Sequence, residues 1–206
     1  MRELQEALAD INAIRVQVAW GTQFRGYGPK SIAASGLLAI AVATAQSLLI
    51  SGAERNVATF LSLWIATAVI AVALAAGETF SRTQRLHPGF SRVMIQSAVE
   101  QFMPSVVVGL LLTVVLLRVA PDEVWMLPGL WEIAFSLGIF ASGRFLPRPL
   151  FAVGLWYLVC GLMCLAIESG PRTLSPWGMG IPFGAGQLLV AAVLKYSYAD
   201  SAECCE

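Results

Sequence analysis

The chain has 206 residues, of which 57% are apolar and 13% charged, and its mean hydropathy is +0.73. An ordinary soluble domain is about 45–50% apolar and about 25% charged, so composition excludes a disordered chain and argues against a soluble globule. The 13 Lys and Arg balance the 13 Asp and Glu, which removes the basic surface that a nucleic-acid binder needs.

Residues 1–28 form an N-terminal segment whose first part, residues 2–20, reads as an amphipathic helix. Leu4, Leu8, Ile11, Ile14 and Val18 recur at three- and four-residue steps, while Glu3, Glu6, Asp10 and Gln17 face elsewhere. A helix that lies on anionic lipid carries Lys and Arg on its polar face, and this one is nearly neutral. Its apolar stripe is therefore expected to contact protein, whether its own bundle, a second copy or another subunit. Trp20, Phe24 and Tyr27 then lead into the bilayer as an interfacial aromatic group.

A transmembrane helix needs about 20 mostly apolar residues. Six stretches qualify, and residues 31–198 read as an all-α, six-helix transmembrane domain followed by a tail at 199–206. The expected spans are Ile32 to Ile50, Val57 to Phe80, Met94 to Leu117, Leu127 to Ala141, Leu150 to Ile167 and Ile181 to Tyr198. The fourth is the shortest, with Pro128 and Gly129 where it begins. Ala43-Thr44-Ala45 has the small-x-small pattern of a signal-peptidase site, but the apolar run continues to Ile50, so a span is expected there.

Orientation follows from the cations. Arg2, Arg15, Arg25, Lys30, Arg82, Arg85, Arg92, Arg144, Arg148 and Lys195 fall on one side of this topology, and Arg55, Arg118 and Arg172 on the other. Ten against three predicts that both termini are cytoplasmic.

Within the spans, chemistry is sparse. His87 is the single histidine and sits in a loop, so bis-histidine haem ligation by this chain is excluded. No zinc-protease, paired CxxC or phosphate-cradling motif occurs, and no nucleophile–base pair is visible. No metal, cofactor or catalytic residue is expected. Cys160 and Cys164 share one face of the fifth span, where they read as small apolar residues. Cys204 and Cys205 lie in the tail between Glu203 and Glu206, where they read as inert thiols.

Ionisable groups inside a membrane are the default functional candidates. Glu100 stands out, flanked by Gln96 and Gln101 and followed by Pro104, which frees a backbone carbonyl near residue 100. Glu78, at the end of the second span, is expected to approach Glu100 across the hairpin, with Arg82, Arg85 and Arg92 available to neutralise either acid. Glu132 is placed near the outer end of the fourth span, and Gln187 within the sixth.

Small residues predict close helix contacts. Gly180 and Gly184 form a GxxxG pattern at the start of the sixth span, and Gly154 and Gly161 share a face of the fifth. Ala66, Ala71 and Ala75 line the second, Gly184-Ala185-Gly186 reads as intramembrane packing, and Gly178-Met179-Gly180 reads as a loop turn. Pro104 and Pro182 each begin a Pro-x5-Leu-Leu pattern, a faint internal echo of the kind inverted repeats leave.

Leu127-Pro128-Gly129-Leu130-Trp131, followed by Gly138, Gly143 and Val153-Gly154-Leu155, resembles a family of small uncharacterised bacterial six-span inner-membrane proteins. That family is similar in its short amphipathic N-terminal helix and glycine-rich last span. It usually has a histidine and a second glycine in that span, where this chain has Gln187 and Ala191. The resemblance implies a bacterial inner membrane and no agreed activity, and so no catalytic residues.

These features together predict a non-enzymatic integral membrane protein acting by protein–protein contact, as an accessory subunit of a membrane assembly or as a homo-oligomer. The alternative is a small secondary transporter or channel with a cytoplasm-facing polar site around Glu100.

Overall fold

The computed structural model describes residues 28–49, 56–85, 88–144, 149–167 and 174–203, with side chains described at 28–49, 56–78, 99–143, 149–167 and 174–196. Leu4, Leu8, Ile11, Ile14, Val18, His87, Cys204 and Cys205 lie outside the described residues, as does the side chain of Gln96. Every regular element among the described residues is a helix: α1 (Pro29–Leu49), α2 (Val57–Arg85), α3 (Pro88–Val119), α4 (Leu127–Ala141), α5 (Leu150–Ile167) and α6 (Pro176–Glu203). Short 3₁₀ stretches, Pro121–Met126 and Ser142–Arg144, flank α4.

All six contain or complete a segment of 18 to 22 residues apolar enough to cross a membrane. At 1.5 Å per residue these reach roughly 27–33 Å, close to the ~30 Å hydrocarbon core of a bilayer. The protein is an all-α polytopic membrane protein.

The helix starts have local causes. Pro29 and Pro176 open α1 and α6, and Pro128 stands at the second position of α4. Proline is tolerated there because a first-turn N–H has no helical partner to lose. Asn56 caps α2, its Oδ1 accepting from the Thr59 amide at 3.3 Å.

Three boundaries depart from the sequence reading. The fourth span begins at Pro121 rather than Leu127, because the 3₁₀ stretch carries the chain into the apolar layer before α4 starts. Glu132 is thereby moved from the expected outer end to the middle of its span. The sixth begins at Pro176, so Gly178, Met179 and Gly180 are helical and form no turn. Gly180 serves close approach instead: a Cβ on it would strike the Ala43 methyl on α1. The same helix runs on to Glu203, past the expected boundary at 198.

Short connections make successive helices alternate in direction. One end of the bundle therefore holds the starts of α1, α3 and α5 and the finishes of α2, α4 and α6. Lys30, Arg82, Arg85, Arg92, Arg144 and Lys195 sit on backbone at this end, called here the basic end. Arg118, Asp122 and Glu123 lie at the opposite end.

Helix α1 packs most extensively on α6, α4 on α5 and α3, α1 on α2, and α5 on α6, whereas α2 meets α3 only sparingly. The α1–α6 seam shows how a membrane protein chooses its inside. The buried residues of α1 are Ser31, Ile32, Ser35, Gly36, Ala39, Ala43 and Gln46, while Leu37, Leu48 and Leu49 are exposed. Lipid solvates leucine as well as protein does, so small and polar residues face inward and let backbones approach. A Cβ on Gly36 would stand 2.9 Å from the Gly184 carbonyl oxygen.

The buried apolar residues divide into two clusters. Ala39, Ala43, Phe60, Leu61, Trp64, Val124, Leu127, Leu174 and Met179 fill the end away from the cations. Ile32, Ile139, Leu150, Val153, Tyr157, Ala191 and Leu194 fill the basic half. Phe183 packs against both.

Indole N–H groups, costly to leave unmet in hydrocarbon, find acceptors. Trp64 donates to Gln46 Oε1 at 3.1 Å, Trp131 to Thr113 Oγ1 at 2.9 Å, and Trp156 to the Pro182 carbonyl at 3.1 Å. Pro182 lies inside α6 and has no N–H to offer the Gly178 carbonyl one turn back. The Cys164 thiol of α5 donates to that carbonyl at 3.7 Å. Cys164 thus answers a backbone group that the proline left exposed.

Glu78 shows a related economy at the basic end. Its carboxylate lies against Gly28, and Oε2 accepts from the Ser31 amide at 2.7 Å. A side chain from α2 therefore caps the first turn of α1, where unmet N–H groups and the helix dipole favour negative charge. Removing such a cap costs about 0.5–2 kcal/mol. Glu78→Ala is accordingly expected to lower the unfolding midpoint modestly and to speed hydrogen exchange at the Ser31 amide selectively. Unchanged exchange at Ser31 would show that the cap contributes nothing in solution.

Candidate functional site

Two of the polar residues singled out in the sequence, Glu132 and Gln187, converge on a third group that the sequence reading passed over. Glu132 on α4, Tyr157 on α5 and Gln187 on α6 each occupy the middle of their spans. Glu132 and Tyr157 have no exposed surface, and neither does Ser136, one turn further along α4 on the same face. Glu132, Gln187 and Cys160 all lie within electrostatic reach of the Tyr157 hydroxyl. That hydroxyl faces Gln187 but closes no hydrogen bond of ordinary geometry, and it is fully buried.

Glycines make the space for this cluster. A Cβ on Gly161 would lie 3.1 Å from the Glu132 Cβ, so the glutamate sits directly over a glycine of α5. The Tyr157 hydroxyl end abuts Gly186, and the Gln187 Cβ lies 3.0 Å from where a Gly36 Cβ would be. Around the tyrosine, aromatic rings tie four helices together. Phe102 of α3 meets Phe135 of α4 edge-on at 5.1 Å, Phe135 meets Tyr157 at 4.8 Å and Phe183 at 5.4 Å, and Tyr157 meets Phe183 at 5.2 Å. Tyr157 thus joins the polar residues to an aromatic cluster.

The other candidates lie elsewhere. Glu78 serves the α1 cap. Glu100 is exposed on α3, and Gln101, next to it, is half-buried with its Oε1 enclosed. Gly180 and Gly184 contact α1, Gly154 receives the Phe140 ring of α4, and Gly161 meets the Gly129 carbonyl, so all four glycines serve contacts within this chain. Among the described residues no group of three or more His, Cys, Asp or Glu is placed to hold a metal ion.

Sequence reasoning named Glu132 and Gln187 separately and passed over Tyr157. The available signal was positional: all three fall mid-span, and each is faced by a glycine.

No protein-family model, no curated protein and no solved structure matches this chain. The resemblance carried by Leu127–Trp131 and Val153-Gly154-Leu155 therefore rests on those short motifs alone.

Proposed function

We propose that this protein is a non-enzymatic integral membrane protein that works by contact, as an accessory subunit of a membrane assembly or as a homo-oligomer. In this reading it resides in a bacterial inner membrane with both termini in the cytoplasm, as the ten-to-three division of cations favours. The observation that carries the reading is the outward face of α2. Ala58, Ser62 and Ala66, then Ala73 and Gly77 beyond Val69 and Ile70, lie at helical steps and are all exposed, and a Cβ on Gly77 would meet nothing within 4 Å. By contrast, Gly36, Gly129, Gly154, Gly161, Gly180 and Gly184 each lie against another helix.

The neighbouring helix supports the same view. Of the α3 span only 11% is buried, the least of the six, and α2 follows at 22%. These two helices touch each other sparingly, leaving a wide apolar surface around the small-residue face. The exposed position of Glu100 on α3 also favours contact over a transporter built around that residue.

The test is a bulky residue on the outward face. Ala66→Trp is expected to shift native mass spectra, taken in a lipid-like carrier, from an assembly to the single chain. Its unfolding midpoint should remain near that of the parent chain, because Ala66 is exposed in the bundle. An unshifted mass distribution would remove α2 as the contact face.

A further inference from the structure

We propose that the N-terminal segment, residues 2–20, docks on the arginine-bearing end of the α2–α3 hairpin of its own chain, its acids toward the arginines. This inference stands apart from the contact face at Ala58, Ser62 and Ala66. That face is read from the mass of the assembly, and this contact from hydrogen exchange within one chain, so either can fail without the other.

The hairpin is longer than its apolar runs. These stop at Phe80 and resume at Met94, yet the backbone stays helical to Arg85 and is helical again from Pro88. Residues 81–85 and 88–93 therefore stand roughly 7–9 Å beyond the apolar layer, at 1.5 Å per residue. Arg82, Arg85 and Arg92 all fall in this stretch, and residues 79–98 contain no Asp or Glu. No other connection at the basic end carries three cations.

The N-terminal segment is the electrostatic complement. Residues 3–14 contain Glu3, Glu6 and Asp10 and no Lys or Arg. The three acids recur at steps of three and four, so on a helix they share one flank of the apolar stripe of Leu4, Leu8, Ile11, Ile14 and Val18. Such a flank is repelled by anionic lipid and attracted by a cluster of arginines.

The point where the segment joins the bundle selects this cluster. Gly28 is buried with the Glu78 carboxylate against it, and Ser31 bonds to both, its amide to Glu78 Oε2 and its hydroxyl to the Gly28 carbonyl. The chain thus leaves α1 beside α2, at the foot of the hairpin. From Val18 to Gly28 an extended chain reaches roughly 33–36 Å, several times the height of the hairpin, so the tether spans the contact easily. The foot itself offers apolar surface. Ala76 and Gly77 on α2 and Val99 and Met103 on α3 are exposed, and a Cβ on Gly77 would meet nothing within 4 Å. The stripe can settle there while the acids meet the arginines above it.

Hydrogen exchange of the full chain in phosphatidylcholine nanodiscs, whose lipid has no net charge, tests the contact. Amides of residues 4–18 are expected to be protected in the parent chain. The triple change Arg82→Glu, Arg85→Glu and Arg92→Glu should speed their exchange roughly tenfold. Glu3→Lys, Glu6→Lys and Asp10→Lys should do the same, and combining both triples should restore protection. The second triple leaves the bundle untouched and keeps the test open if the first fails to fold. Protection that neither triple changes in folded protein would overturn the proposal, leaving the segment on lipid through its stripe. Losses that do not rescue each other would overturn it as well. Protection present in discs with two chains and absent in discs with one would also overturn it, assigning the segment to a second copy.

Discussion

Gly161→Ala is expected to destabilise the bundle by about 1–3 kcal/mol, the usual cost of overpacking a well-filled interior, and Gly161→Val by more. The reason is that the obstacle is backbone. A Cβ at this position would stand 2.7 Å from the Gly129 carbonyl oxygen and 2.8 Å from the Ile133 Cγ1. The relation is reciprocal, since a Cβ on Gly129 would stand 2.7 Å from the Gly161 carbonyl oxygen. A side chain can rotate away from an added methyl, but two crossing helices have to separate. Separation of α4 from α5 would lift Glu132 off Gly161 and open the polar cluster as well. The check is thermal unfolding in a lipid environment, with Gly143→Ala as control, because a Cβ there would meet nothing within 4 Å. Equal midpoints for the two alanine variants would show that α4 and α5 do not cross as closely as described.

Tyr157 should separate two contributions that a single substitution confounds. Tyr157→Ala removes a fully buried ring in contact with Phe135 and Phe183, and is expected to cost about 3–5 kcal/mol by analogy with other large-to-small core changes. Tyr157→Phe keeps the ring and deletes only the hydroxyl. Because that hydroxyl completes no hydrogen bond of ordinary geometry, its loss is expected to leave the unfolding midpoint unchanged or slightly raised. A large loss in the phenylalanine variant would mean that the hydroxyl is firmly bonded in the folded protein. The pair of midpoints thus measures the ring and the hydroxyl separately.

The spans were legible because hydropathy over twenty residues is a property of one segment. All six appear where apolar runs predict them, and the two early starts share a cause. At Pro121–Met126 and at Gly178–Gly180, turn-forming residues suggested loop, but proline in a first turn and glycine against a neighbour are both compatible with helix. What no single segment carries is its partner. Gly36 and Gly184 announce close packing, yet neither says that α1 lies along α6 rather than along its neighbour in sequence. The cap that Glu78 gives α1 is equally hidden in its own segment. The Ser31 amide lies 47 residues away and has no charge to advertise itself. Tyr157 was invisible for a further reason: a tyrosine among apolar residues reads as core, and its proximity to Glu132 and Gln187 exists only once three helices are assembled.

The short fifth span also bears on the lipid around the protein. It has 18 residues, whereas the α2 span has 22, and both are mostly exposed. At 1.5 Å per residue, that is about 27 and 33 Å. A bilayer that matches α5 is thin for α2, which then has to tilt or deform the lipid beside it. The two helices therefore favour acyl chains of different length.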